Sequence, residues 1–250
     1  MASHLARVFH KRALCAGSGD IFEIAKVFRA GEQSRRHRVE FTMLEYYRVG
    51  FDEFALMREI TDLMQCLLHA FERAPWPIHV IRFRDWFAHE LGVQLDQPDA
   101  GRALQTLALQ HGAQGSLNMD QAIDFLRSHV LEPRLDPECW VFVHDFPATQ
   151  AALAALSADG VSARRFELFG GGFELANGYF ELCDAELQRA RWEKDLHTRA
   201  AQQQLSVPLD TDFLTALDRL PSCAGVAIGL DRVLMLLLNQ PDIAEVLAFP

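Results

Sequence analysis

Cysteine, long apolar runs and an excess of basic charge are all scarce in this sequence, and each shortage removes a class of function. Five cysteines (Cys15, Cys66, Cys139, Cys183 and Cys223) are scattered through 250 residues. Their number is odd and none stands in a Cys-x-x-Cys pair, so neither a disulfide framework nor a zinc site is expected. Free, buried thiols in a reducing compartment are the natural reading. The longest apolar run, residues 233–238, is far too short to span a bilayer. The opening residues, MASHLARVFHKRAL, hold no uninterrupted apolar stretch of signal-peptide length. A cytoplasmic protein with no membrane association is therefore expected. Lys and Arg number 24 against 34 Asp and Glu, a net charge of -10. A protein that grips nucleic acid over a broad surface shows the opposite balance, because phosphate neutralisation supplies most of that affinity.

What is present is enough apolar material for a large core, since 50% of the residues are hydrophobic. Residues 20–30 and 40–49 are rich in Phe, Ile, Val and Tyr and read as two strands of an antiparallel hairpin. An Arg-rich loop, GEQSRRHR, joins them. Asp52 is an N-cap candidate for a helix running to about residue 72, whose apolar residues recur at three-to-four spacing. Residues 75–138 read as a helical insertion, with helices at 82–92, 100–111 and 118–131 between Pro, Gly and Asp punctuation. Strand character returns at 139–144, 164–169 and 172–176, the last two joined across Gly170 and Gly171. A polar helix over 184–204 follows, then a strand at 225–229 leading into an apolar helix at 231–238. The expected fold class is α+β: an antiparallel sheet flanked by helices in one domain, with the insertion inside it.

Three constellations could carry chemistry. In the first, Arg29 ends a strand, where a guanidinium can hold phosphate oxygens bidentately. Glu32 and the loop can close from the other side, and Phe41 on the return strand can stack on a flat base. Taken singly, these elements also fit an ordinary hairpin with solvated charges. The second is the run from Glu174 to Glu181, in which two carboxylates flank Asn177-Gly178, read as a turn. Such an arrangement could hold Mg²⁺, which needs few protein ligands when phosphates complete its shell. It could equally be an acidic turn facing water. The third is Gly225-Val226-Ala227-Ile228-Gly229-Leu230-Asp231-Arg232, small residues leading into a helix start with an Arg in its first turn. That geometry suits phosphate, although Gly-x-x-x-Gly alone is weak.

Together, in this order, the segments resemble motifs 2 and 3 of class II aminoacyl-tRNA synthetases and the acidic strand between them. FRAGEQSRRHRVEFTMLEYYR, FVHDFPATQAALA, FELANGYFELCDAELQRARWEKD and CAGVAIGLDRVLMLLLNQPDIAEVLAF are similar to the elongation factor P–(R)-β-lysine ligase family, over about residues 8–249. The resemblance implies ATP and Mg²⁺ as cofactors, and activation of (R)-β-lysine or lysine as an adenylate. It also implies transfer of the acyl group to a lysine of elongation factor P. It implies Arg29 and Arg232 as catalytic residues on the phosphates, and Ala30, Gly31, Glu32, His37, Arg38, Phe41, Glu174, Leu175 and Gly229 as further ATP contacts. Tyr47, Asn177 and Glu181 would line the amino-acid pocket, with Glu174 and Glu181 as metal ligands. A tRNA substrate is less expected, given the acidic balance and the lack of an anticodon-reading barrel.

The chain departs from the family at three places. The motif 1 segment that builds the family's homodimer has no counterpart in this sequence. The family's Thr-Ser-Pro-Glu falls on His4-Leu5-Ala6-Arg7, which puts a base where the acid belongs. His-Asn-Pro-Glu-Phe becomes His37-Arg38-Val39-Glu40-Phe41. These departures leave two expectations open: a piece of a longer, active ligase whose start lies upstream, or a non-catalytic paralogue that binds ATP or a partner.

Overall fold

The computed structural model describes residues 2–29, 34–201 and 210–248, with the side chains of residues 2–6, 195 and 198–201 excluded. Alternation of large apolar and polar residues builds the hairpin expected at the start: β1 (Ile21–Phe28) pairs antiparallel with β2 (Glu40–Val49), from Ile21 opposite Tyr47 to Phe28 opposite Glu40. Adjacent residues on β2 face opposite ways. Tyr46 joins the core under a helix, while Tyr47 faces a different cluster on the other side.

That helix is α2 (Glu53–Ala70), started where expected: the Asp52 carboxylate accepts from the Ala55 backbone N–H at 2.7 Å. Its stripe of Leu56, Met57, Ile60, Met64 and Leu68 is buried against one face of the sheet. The strand order is β1-β2-β7-β6-β5-β4-β3. Here β3 is Ile78–Arg82, β4 Trp140–Pro147, β5 Ser162–Gly170, β6 Phe173–Phe180 and β7 Cys223–Gly229. Every neighbouring pair is antiparallel except β3 with β4.

Residues 75–138 supply the helices α3 (Phe83–Leu91), α4 (Ala100–Gln110) and α5 (Met119–Leu126), and also β3 at the sheet's far edge. The expectation of helix alone missed that five-residue strand because its run, IHVIR, is too short to show a period. The helices close a second core around Phe83, Trp86, Phe87, Leu104 and Leu126, which includes Val141 and Val143 from β4.

The β5–β6 turn is made by Gly171 and Gly172, both with positive φ, one residue beyond the expected position. Asn177-Gly178 is not a turn. Both lie inside β6, paired with Glu167 and Phe166 on one side and with Ala227 and Val226 on the other. Glycine is required at 178 because a Cβ there would lie 2.2 Å from the Phe166 ring. The sequence signal of Asn-Gly is thus overridden by close packing within the sheet.

Two helices were not foreseen. α1 (Ala2–Cys15) and α7 (Thr211–Leu217) pack together over Tyr47, through Val8 and Leu14 on one side and Phe213 and Leu217 on the other. The polar helix α6 (Ala185–Ala201) precedes α7, and α8 (Leu230–Leu237) follows β7 directly. Among the described residues, no helix is long and apolar enough to cross a membrane.

Candidate active site

A cavity of about 410 Å³ opens between the face of β2, β7 and β6, the loop after β1, and the ends of α1 and α8. Six arginines line it: Arg7, Arg29, Arg36, Arg38, Arg165 and Arg232. In a chain of net charge -10 this is a local reversal of sign, and it focuses the field on an anionic ligand.

The outer end is built by the hairpin and the strand–helix joint. The Arg29 guanidinium lies 5.6 Å from the centre of the Phe41 ring, and the Arg29 backbone N–H donates to Val39 O, which fixes the root of the loop. Past the root, Arg36 crosses to the β5–β6 turn, donating to Gly172 O at 3.0 Å and lying over Phe173. Arg38 pairs with Asp242 at 3.2 Å, and the Ile243 N–H donates to Arg35 O. His37 lines the cavity and meets Ser34 Oγ at 2.8 Å. The loop is therefore pinned to the opposite wall and to the C-terminal segment. Ala30, Gly31 and Glu32 lie outside the described residues.

Arg232, in the first turn of α8, donates to the backbone oxygens of Glu174 at 2.8 Å and of Arg36 at 3.2 Å. Gly229 caps α8, one residue earlier than expected, and the helix's positive end faces the cavity. Asp231 ties this joint to the hairpin by accepting from the Thr42 N–H at 2.5 Å.

Beneath the arginines sits a buried carboxylate network on adjacent strands. Glu167, 1% exposed, accepts from Arg127 at 2.7 Å, Arg165 at 2.5 Å and the Asn177 side chain at 3.0 Å. The Glu174 carboxyl is pushed up to about 7, by burial first and by the Glu167 charge second, with Arg232, Arg127 and Arg165 opposing. Of the two carboxylates expected to hold Mg²⁺, Glu174 is the one that lines the cavity.

Glu174 lines the cavity, whereas Glu181, just past the end of β6, is buried against Lys11. Among the described residues, no group of three or more His, Cys, Asp or Glu side chains gathers as a metal site.

The inner end departs most from expectation. Asn177 lines the cavity, but Tyr47 and Glu181, each 1% exposed, lie behind its wall. Tyr47 donates to Glu45 at 2.7 Å, and burial together with the Glu181 and Glu45 charges pushes its phenol well up. Glu181 is paired with the fully buried ammonium of Lys11 from α1, and burial still holds its carboxyl above the ordinary range. Arg7, also from α1, reaches into the cavity instead. Its Nη2 donates to Asn177 O at 2.9 Å and its guanidinium lies 4.4 Å over the Tyr179 ring.

Sequence reasoning missed Arg7, Arg36, Arg165, Glu167 and Asp231 as site residues. Arg165 and Glu167, two apart on one strand, share a face, and that spacing was the available signal. In the sequence Arg7 shows only as a base in the family's acid position, and Arg36 and Asp231 only as parts of a loop and a helix start; the folded chain carries all three to the cavity.

Comparison with known proteins agrees with this geometry. The family model "tRNA synthetases class II (D, K and N)" matches residues 5–250. The chain is 41% identical over 244 residues to the elongation factor P–(R)-β-lysine ligase of Pectobacterium carotovorum subsp. carotovorum, covering 96% of this chain and 74% of that protein. It is 42% identical to the ligase of the same name from Haemophilus ducreyi (96% and 72%) and 40% identical to that from Vibrio cholerae (97% and 75%). The chain belongs to the class II tRNA synthetase family, on its branch of elongation factor P–(R)-β-lysine ligases, and is an ATP-dependent ligase of that type.

Proposed function

We propose that this protein activates a carboxylic acid with ATP as an acyl-adenylate and transfers the acyl group to a lysine of elongation factor P in the cytoplasm. The names of its relatives make (R)-β-lysine and lysine the first acids to test. In the first step a carboxylate oxygen bonds to the α-phosphorus and pyrophosphate leaves. In the second, a lysine ε-amine bonds to the acyl carbon, AMP leaves, and the amine gives up a proton.

The observation that carries this reading is the ring of arginines around a cavity that ends a hairpin on one side and a helix N-terminus on the other. Arg29 would neutralise charge developing on the α-phosphate, and Arg232 would hold the outer phosphates. Phe41 would take the base on its face once Arg29 turns to phosphate, and Arg38, His37, Leu175 and Gly229 would close around the nucleotide. No nucleophilic side chain is needed, because orientation and fixed charge lower the barrier. Mg²⁺ held by Glu174 together with phosphate oxygens would screen the triphosphate.

Pyrophosphate exchange into ATP that depends on an added acid tests the proposal. Arg29→Ala and Arg232→Ala should each abolish it together with ATP binding. Retained ATP binding in both variants would show that the nucleotide site lies elsewhere. A second reading, nucleotide binding without catalysis, draws on the inner end, where Arg7 and Lys11 stand among the groups expected to receive an amino acid. It predicts saturable ATP binding with no exchange for any acid.

A further inference from the structure

The helical insertion meets the site through an irregular turn. Helix α5 runs on into a π-turn, Arg127–Leu131, closed by the Glu132 N–H donating to Arg127 O. Such turns are rare and cluster at functional sites. In an α-helix, residues three and four apart are neighbours on the surface. The π-turn instead brings Glu132 level with Arg127, while Val130 and Leu131 stay buried in the insertion core. One nitrogen, Arg127 Nη1, then meets Glu132 at 3.2 Å and Glu167 at 2.7 Å.

The two oxygens of Glu167 have different partners. Oε1 accepts from Arg165 Nη2 at 2.5 Å and from Asn177 Nδ2 at 3.0 Å, and Asn177 stands directly opposite Glu167 in the β5–β6 register. Oε2 accepts from Arg127. Asn177 and Arg165 line the cavity, whereas Glu167 is buried and, like Arg127, is no part of the lining. A carboxylate held at both oxygens cannot turn. Released at Oε2, it is able to rotate, and the Asn177 amide and the Arg165 guanidinium then lose a fixed acceptor.

We infer that Arg127 is a positioning residue: through Glu167 it fixes the Asn177 amide and the Arg165 guanidinium in the cavity wall, which makes the helical insertion part of the acid-binding apparatus. The inference rests on the acid-activating reading above, in which Asn177 lines the acid pocket. Buried ion pairs stabilise a fold little compared with apolar packing, so what this one supplies is orientation. Both contacts of Arg127 are made by the single nitrogen Nη1, and its buried Nε has no hydrogen-bond partner. A lysine ammonium can therefore stand in for the guanidinium here, unlike at a bidentate site.

The test measures pyrophosphate exchange with (R)-β-lysine and lysine in Arg127→Met and Arg127→Lys. Leu104→Ala is the stability control, because Leu104 is fully buried in the insertion core and does not line the cavity. Arg127→Met should raise the KM for the acid by about tenfold, the scale of one charge-assisted hydrogen bond, and move the KM for ATP far less. Arg127→Lys should restore most of that loss. Leu104→Ala should lower the melting temperature and leave both KM values in place. An unchanged acid KM in Arg127→Met would overturn the inference, as would a rise shared equally by ATP, the same rise in Leu104→Ala, or no restoration by lysine. Should Arg127→Met not fold, Arg127→Gln takes its place; if neither folds, Arg127 serves stability alone and the inference falls. If no acid supports exchange in the unaltered chain, the activation reading fails, and calorimetry of the same acids with a non-hydrolysable ATP analogue decides the inference. Weaker acid binding by Arg127→Met than by the unaltered chain would then support it, and equal binding, or no acid bound by either, would overturn it.

Discussion

Glu174 is where charge and burial compete most directly. Its carboxyl titrates near 7 because it is buried beside Glu167, and the surrounding arginines only partly offset that. A raised carboxyl pKa means that the folded protein prefers the protonated form. This contribution to stability is complete below the ordinary carboxylate range and is lost as pH rises through about 7. Without Mg²⁺, the melting temperature should therefore decline between about pH 5 and pH 8 more steeply for the native chain than for Glu174→Gln. With Mg²⁺ and ATP the carboxylate gains a counter-charge, and this difference should disappear. Equal slopes for the two proteins without Mg²⁺ would remove Glu174 from the titration. Gly178 makes a steric prediction on the same strand. Alanine at this position must displace the Phe166 ring, 2.2 Å from the new Cβ, and should cost about 1–3 kcal/mol in urea unfolding.

At the level of elements, the site depends on junctions more than on the strands themselves. The β7–α8 joint is locked to the hairpin by Asp231 and to β6 by Arg232. Asp231→Ala leaves the Thr42 N–H without its acceptor, so it should weaken ATP binding although Asp231 need not touch the nucleotide. Isothermal titration with ATP, set beside the melting temperature, separates this from a general loss of fold. Helix α2 offers a contrast, because it stabilises without touching the cavity. Asp52→Ala removes its N-cap and should cost about 1 kcal/mol of stability, with ATP affinity unchanged. The insertion is joined to the site through Arg127, which leaves the end of α5 to reach Glu167. Nothing in the helical periodicity of 118–131 marks that residue, because its partner lies 40 positions away on another strand.

Across the whole molecule, three apolar clusters share one sheet: the insertion core, the α2–α8 core and the α1–α7 core. Trp86 reports the first, Trp76 and Trp140 the second, and Trp192 packs on the third. Because β4 carries Trp140 in one cluster and Val141 in another, the clusters should unfold together. Single-tryptophan variants should give coincident urea transitions. An earlier transition at Trp86 would show the insertion to be a separate unit.

How much was legible in the sequence follows from the range of the interactions involved. Hairpin, N-capped helix and strand–helix joint are local patterns, and the order of their motifs, Arg29 to Phe41, Glu174 to Glu181, Gly225 to Arg232, was enough to identify the family. Of the residues those motifs single out, Arg29, His37, Arg38, Phe41, Glu174, Leu175, Gly229 and Arg232 line the cavity, because each sits close in sequence to the element that positions it. The inner end was different. Whether Glu181 faces a ligand or Lys11, and whether Asn177-Gly178 turns or continues, depends on contacts with α1 and Phe166 that are remote in sequence. Local sequence thus determined the arginine-bearing frame. Tertiary packing alone decided that Arg7 would meet Asn177 and Lys11 would meet Glu181 at the inner end, because only the folded chain lays the first helix against the far end of β6.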